Sequence, residues 1–166
     1  MPAGRLTELL IDDATWNRGS TVRRHEWRLA INEILQEGRF ELPATATEGA
    51  TALVTVGPTK IWFEVRAAGG VPALQRELPL SLLRPLIDEY LETIVEMSKL
   101  VTSANSPRLE ALDIAKRITH DEAGETVQGL LGELKPDHAT ARRLFTLLVT
   151  LLHDTTRLVG PHIQPR

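Results

Sequence analysis

The sequence predicts one α+β domain, with helices packed on one face of a small antiparallel sheet and around a central buried C-terminal helix. Short runs of β-branched and aromatic residues, broken by Gly and Pro, occupy residues 51–78, whereas apolar residues at helical spacing occupy residues 81–153. A further strand and helix precede these segments, so the predicted order is β-α-β-β-β-α-α-α. We expect the domain to span residues 1–157 and a mobile tail to follow over residues 158–166.

The first strand and helix are predicted before residue 40. Residues 5–11 form a β-rich run that ends at Asp12, which can cap a short helical turn. Ser20 or Thr21 can cap a second helix, which Gly38 ends. The buried stripe of this helix is predicted to contain Trp27, Ala30, Ile31, Ile34 and Leu35.

Three neighbouring strands are predicted to form a meander. Residues 51–56 and 60–66 are rich in β-formers and are separated by the sequence Gly-Pro-Thr, which favours a turn. Residues 72–78 follow a Gly-containing loop and should pair alongside as the third strand.

Three helices are predicted after the meander. Ser81 can cap the first, in which Pro85 should make the first turn irregular. Ser106, followed by proline, begins the second, which runs to about Gly132 and which Gly124 could interrupt.

The last of these helices, residues 137–153, is predicted to be the buried centre of the domain. Asp137 can cap its first amide groups, and apolar side chains surround its axis, as is typical of a helix inside a protein. The apolar run between Arg143 and His153 is too short for a membrane span, which needs about 20 residues.

Composition and charge disfavour several classes of function. The 166 residues include no cysteine, which excludes disulfides, thiolate nucleophiles and cysteine-ligated metal centres. The net charge of −3 gives no basic excess and disfavours tight binding to nucleic acid or to an anionic membrane. Glu8, Asp12 and Asp13 precede any apolar run of signal-peptide length, and we therefore expect a cytoplasmic protein.

Polar residues gather on one face of the predicted helix that begins at Ser106. Glu110, Asp113, Arg117, His120, Asp121 and Gly124 recur at spacings of three and four. One interpretation is a solvated face in which Arg117 pairs with Asp113 and Asp121, each pair contributing about 0.3–0.5 kcal/mol. The other is that Asp113, Arg117 and His120 edge a cleft near the start of the central helix.

Arg142 and Arg143 are predicted in the first turn of the central helix, where the helix dipole favours acidic side chains. A bound anion is one explanation, because arginine forms paired hydrogen bonds with phosphate or carboxylate. The alternative is that Asp137, Glu133 or acids of the preceding helix neutralise both arginines.

The histidines allow two further interpretations. His25, His120 and His153 could converge with Glu26 on a metal ion, although the second histidine of an HExxH motif does not follow His25. His120, which precedes two acids, is also similar to the exposed histidine of phosphorelay helices. No phosphate-binding loop, dinucleotide motif or nucleophile elbow occurs, and we expect no metal and no cofactor.

Scattered residues and one longer run carry a family pattern. In the first part these are Arg5, Leu6, Asp12, Ala14, Arg18, His25, Glu26 and Phe40. In the second part they are residues 110–113, Arg117, His120, Glu122, Glu125, the run TARRLFTL at residues 140–147 and His153. Over nearly all of residues 5–153 the chain resembles the bacterial uncharacterised protein family two-six-two of the UPF series, and it departs from that pattern at Trp27, where an arginine is usual. The resemblance implies a small soluble bacterial protein and no assigned activity.

These observations lead to three functional hypotheses. The leading one is a non-enzymatic binding or regulatory domain for a small anion or an acidic protein segment, with ligand contacts from Arg117, Arg142, Arg143, His25 and Glu26. The second is an enzyme or phosphotransfer protein in which His120 is acid, base or phosphoacceptor, Asp113 orients it and Arg117 or Arg142 holds substrate charge. The third is an interaction module that forms a homodimer through Trp16, Trp27 or exposed leucines.

Overall fold

A computed structural model describes residues 3–100 and 106–156, and the predicted α+β class is confirmed. The helices in these ranges are α1 (Asp13–Arg18), α2 (Thr21–Glu37), α3 (Leu80–Leu100), α4 (Ser106–Leu131) and α5 (His138–Leu152). The strands are β1 (Ala3–Gly4), β2 (Glu8–Ile11), β3 (Phe40–Glu41), β4 (Thr51–Val56), β5 (Lys60–Arg66) and β6 (Pro72–Pro79). The tail predicted over residues 158–166 lies outside the described residues.

Within the described residues, β2, β4, β5 and β6 form a four-stranded sheet in that order. The predicted meander is present, because β4 pairs antiparallel with β5 and β5 antiparallel with β6. β2 instead runs parallel to β4, with Glu8 opposite Thr51 and Ile11 opposite Val54, so the sheet is mixed rather than wholly antiparallel. Parallel neighbours need a long connection, and here it contains α1, α2 and β3, the last paired with β1.

One face of the sheet carries the core. The inward side chains alternate along the strands, as in Ala52 and Val54 of β4 and Ile61, Phe63 and Val65 of β5, all of them buried. α5 packs against both α2 and α4 and has the predicted central position. Its buried apolar residues are Ala141, Leu144, Phe145, Leu147, Leu148, Val149 and Leu151.

Three helices begin at residues that were predicted to cap them. Asp12 and Ser20 accept backbone hydrogen bonds at the starts of α1 and α2, and the Asp137 carboxylate accepts one of 2.8 Å from Thr140 N at the start of α5. α2 ends at Gly38 in extended backbone (φ −67°), where a Cβ would lie 2.2 Å from the Ile34 carbonyl oxygen. Close approach of the chain, rather than left-handed backbone, therefore requires glycine there.

Three details of the later helices differ from expectation. α3 begins at Leu80, so Ser81 lies inside the helix and does not cap it, and Pro85 lies in its second turn rather than its first. α4 continues through Gly124 without interruption. No helix in the described ranges is both long enough and apolar enough to span a membrane.

Trp27 and Arg23 of α2 cap the C-terminal end of α5. The Trp27 indole Nε1 donates to the Thr150 carbonyl at 3.1 Å, and Arg23 Nη2 donates to the carbonyls of Thr150 and Leu151 at 3.0 and 3.3 Å. A helix end leaves such carbonyls without intrahelical partners, so these donors satisfy them. Trp27 is only 1% exposed. It is therefore part of the core, and the expectation that it contributes a dimer contact is wrong.

Candidate functional site

A cleft of about 620 Å³ is formed by α2, α4 and α5. α2 contributes Glu26, Leu29, Ala30 and Glu33, and α4 contributes Asp113, Lys116, Arg117 and His120. α5 contributes Ala139, Arg142, Arg143, Thr146 and Thr150. Charged side chains from three helices therefore meet in one concave surface.

Most of the site residues expected from the sequence line this cleft. They are Glu26, Asp113, Arg117, His120, Arg142 and Arg143. His25 does not line it, although it neighbours Glu26 in sequence, and its side chain is exposed on α2.

His120 is a buried ring that joins α4 to α5. Its Nε2 lies 3.1 Å from the Arg142 carbonyl oxygen and 3.1 Å from Thr146 Oγ1. Because a carbonyl only accepts, Nε2 carries the proton, and Nδ1 is left to accept from Arg142 Nη2 at 3.2 Å. The ring also contacts Tyr90 and Phe145.

The surroundings of His120 keep it neutral. Burial is the largest cause that lowers its pKa, from 6.5 to about 4, and the charges of Arg142 and Lys116 act in the same direction. The hydrogen bond to the Arg142 carbonyl opposes the shift. His120 therefore contributes a fixed hydrogen-bond donor and acceptor at neutral pH, and no charge.

Arg142 is positioned by three neighbours on α4. Besides the bond to His120, its Nε lies 3.4 Å from Asp121 Oδ1, within ion-pair range but without a hydrogen bond among the described residues. At Gly124 a Cβ would lie 2.8 Å from Arg142 Cγ and 2.9 Å from His138 Nε2, so glycine leaves the space that the arginine stem fills. The Arg142 side chain remains 37% exposed.

Arg143 points to α2 rather than to α4. Its Nε and Nη2 donate to the carboxylates of Glu33 and Glu37 at 3.2 and 2.5 Å. We expected acids of the preceding helix to neutralise both arginines. Asp121 of α4 does approach Arg142, whereas Arg143 pairs with Glu33 and Glu37 of α2. Both arginines lie in the second turn of α5, not its first, because the helix begins at His138. The helix dipole disfavours their positive charges less in the second turn than it would in the first.

Asp113 and Arg117 form the predicted pair one turn apart on α4, at 2.5 Å. The Arg117 side chain is 69% exposed and the Asp113 side chain is 38% exposed, and both line the cleft. The expected pair of Arg117 with Asp121 is not among the ion pairs of the described residues, since Asp121 approaches Arg142. Asp113 is therefore directed to Arg117.

Glu26 lies at the end of the cleft nearest the C-terminus of α5. Burial, and then the charge of Asp154, raise its pKa, while Arg23 and His25 oppose the shift. Glu26 therefore takes up a proton at a higher pH than an ordinary surface glutamate does.

The described residues contain no group of three or more His, Cys, Asp or Glu side chains arranged to hold a metal ion. His153 ends α5, with its backbone N–H bonded to the Val149 carbonyl at 2.9 Å, and His25 is exposed on α2. The suggested convergence of His25, His120 and His153 on a metal is therefore not seen.

Other lining residues were not expected from the sequence. Lys116 lies one helical turn before His120, so the spacing on α4 could have identified it. Leu29 and Glu33 come from α2, and nothing in their own sequence surroundings shows that they face residues at least 80 positions later.

Comparison with known proteins identifies the family. Residues 3–154 match the family described as Uncharacterised protein family (UPF0262). A UPF0262 protein of Methylobacterium radiotolerans is 35% identical over 150 residues, which cover 89% of this chain and 92% of that protein. A UPF0262 protein of Rhodopseudomonas palustris strain HaA2 is 30% identical over 151 residues, covering 90% and 91%. No solved structure gives a significant match. The chain belongs to the uncharacterised bacterial protein family UPF0262, as its sequence pattern indicated.

Proposed function

We propose that this protein is a cytoplasmic, non-enzymatic binding or regulatory domain, and that the cleft formed by α2, α4 and α5 holds a small anionic ligand. One observation carries the proposal. Among the described residues, the cationic side chains of Lys116, Arg117, Arg142 and Arg143 converge on the cleft, which is also lined by the carboxylates of Glu26, Glu33 and Asp113. Asp121 and Glu37, which approach Arg142 and Arg143, lie outside this lining. The volume of about 620 Å³ lies within the range of about 300–1,000 Å³ typical of small-molecule sites.

Arg142 is the best suited of these cations to contact an anion. The bond from its Nη2 to His120 and the close packing of its stem at Gly124 restrict its rotamers before any ligand arrives. Restricting a side chain in advance reduces the entropy lost on binding, and a guanidinium can form two parallel hydrogen bonds with a carboxylate or phosphate. The exposed part of the side chain faces the cleft.

The properties of two further charged side chains also favour an anion. Arg117 is the most exposed of the paired arginines, and its partner Asp113 lies on its own helix. The raised pKa of Glu26 reduces the competing negative charge as the pH falls. We therefore expect anion affinity to increase, not decrease, on mild acidification.

The size of the cleft favours a small anion over an acidic protein segment, the other occupant considered for these arginines.

The catalytic or phosphotransfer alternative has less support. A phosphoacceptor or general base needs an accessible ring nitrogen, whereas both nitrogens of His120 are hydrogen-bonded and the residue is only 7% exposed. Asp113, which would have oriented the ring, pairs with Arg117 instead.

A thermal-melt screen tests the proposal. The purified protein is melted with inorganic phosphate, nucleotides, phosphorylated metabolites and small carboxylates, each at constant ionic strength. A ligand at about 100 times its dissociation constant adds about 2.7 kcal/mol to the free energy of unfolding, which should raise Tm by about 5–10 °C. The shift should disappear in Arg142→Ala and persist in Arg84→Ala, since Arg84 is exposed on α3 and lies outside the cleft. No shift with any anion, or an equal shift in both variants, would refute the proposal.

A further inference from the structure

A separate cleft of about 380 Å³ lies beside strand β2. It is lined by the consecutive β2 residues 9–11, by Asp13 and Trp16 of α1, and by Arg28, Ile31 and Asn32 of α2. None of these residues lines the anion cleft, so an inference about this surface does not depend on the proposed function.

β2 is the edge strand of the four-stranded sheet. It pairs with β4 on one side, and no strand of the described residues pairs with it on the other. Unpaired backbone groups at a sheet edge can bond to another extended chain. Leu10, on this strand, is 50% exposed despite being apolar.

The side chains beyond this edge provide apolar surface and a positive charge. Trp16 and Ile31 are partly buried against the core and form the apolar wall. The Arg28 guanidinium lies 4.9 Å from the Trp16 ring centroid, and it forms no hydrogen bond or ion pair within the part of the chain that the structure describes. Neighbouring Arg24, by contrast, donates to the carbonyls of Trp16 and Asn17. Arg28 is therefore an exposed cation at a cleft whose lining also includes the carboxylate of Asp13.

We propose that this cleft binds an extended, acidic peptide segment of a partner protein, which adds to β2 as a further strand. Backbone hydrogen bonds to the free edge hold the segment, as in other cases of strand addition. An apolar side chain of the segment packs on Trp16 and Ile31, and an acidic side chain pairs with Arg28. Side chains two positions apart in a strand share a face, so the motif is an acidic and an apolar residue separated by one residue.

A random decapeptide library displayed on phage, panned against the full chain, tests this inference. Selected peptides should share an acidic residue two positions from an aliphatic or aromatic one. In fluorescence anisotropy a selected peptide should bind about tenfold more weakly to Arg28→Glu and keep its affinity for Arg84→Glu and for Arg142→Ala. Replacing its acidic residue by lysine should restore binding to Arg28→Glu.

A second experiment uses the unchanged protein and modifies the peptide. The same peptide, N-methylated at alternate backbone amides, should lose about tenfold in affinity, because the methyl groups remove the strand hydrogen bonds. The inference is overturned if panning gives no such motif, or if neither Arg28→Glu nor N-methylation weakens binding. A stable dimer that excludes the peptide and that Leu10→Pro dissociates would assign the edge to a second copy and also overturn it.

Discussion

His120 contacts Arg142 through both nitrogen atoms of its ring. Nε2 donates to the Arg142 backbone carbonyl at 3.1 Å, and Nδ1 accepts from Arg142 Nη2 at 3.2 Å. The ring thus holds the backbone and the side chain of one residue at once. It connects the polar face of α4 to α5 and sets the direction of the Arg142 guanidinium in the cleft. Under the proposed function His120 is therefore a positioning residue, because it acts on the anion through Arg142.

The depressed pKa of His120 predicts a pH-dependent stability. Its pKa is about 4 in the folded chain against an ordinary 6.5, so between these values the unfolded state binds more protons. The stability that neutral His120 contributes is therefore complete above about pH 6.5 and is lost as the pH falls towards 4, by up to about 3 kcal/mol.

Urea unfolding of the wild type and His120→Gln between pH 7.5 and 4.5 measures this effect. Glutamine does not titrate, so the stability advantage of the wild type over the variant should shrink as the pH falls, while the carboxylates common to both cancel. A difference that stays constant with pH would show that His120 is not buried in its neutral form.

Gly124 and Gly129 of α4 allow two matched alanine substitutions to be compared. An alanine at Gly129 would meet no atom within 4 Å, whereas one at Gly124 would lie 2.8 Å from Arg142 Cγ. Gly129→Ala should stabilise the protein by about 0.5–1 kcal/mol through helix propensity. Gly124→Ala should instead destabilise it by about 1–2 kcal/mol, since the added methyl overpacks the contact.

Thermal or urea unfolding of both glycine variants measures these changes, and the anion-induced Tm shift should decrease only in Gly124→Ala. Equal stabilisation by the two substitutions would mean that Arg142 does not pack on Gly124.

The indole of Trp27 provides a third prediction. Trp27→Phe keeps an aromatic side chain but removes the donor to the Thr150 carbonyl, at a site only 1% exposed. We expect a loss of about 2 kcal/mol from the missing hydrogen bond and the smaller volume. Trp62→Phe, at a half-exposed position on the other face of the sheet, is the control and should change stability less. A loss no greater than that of the control would contradict the capping role of Trp27.

Local signals in the sequence predicted much of the fold. The hairpin of β4 and β5 begins and ends where its residue types and turn indicated, and Ser20 and Asp137 cap the helices for which they were expected. The parallel pairing of β2 with β4 was not predicted, because residue alternation shows that a strand exists but not which strand it pairs with. The capping role of Trp27 was missed for a similar reason, since its partner Thr150 is distant in sequence.

The candidate site was likewise predicted only in part. Helical spacing placed Asp113, Arg117 and His120 on one side of α4, and these three do line the cleft. Spacing could not show that Arg143 pairs with Glu33 and Glu37 of α2, or that His120 bonds to Arg142. These contacts depend on how α2, α4 and α5 pack, which no single segment encodes.

The most direct test of the account is calorimetric titration with the anion that gives the largest Tm shift, at constant ionic strength, into the wild type, Arg142→Lys and Arg84→Lys. We expect one saturable site in the wild type and about the same Kd for Arg84→Lys. Arg142→Lys should bind at least about tenfold more weakly, because lysine keeps the charge but not the planar pair of donors. Unchanged affinity in Arg142→Lys, or no saturable binding of any anion to the wild type, would contradict the claim that Arg142, positioned by His120, holds an anion in the cleft.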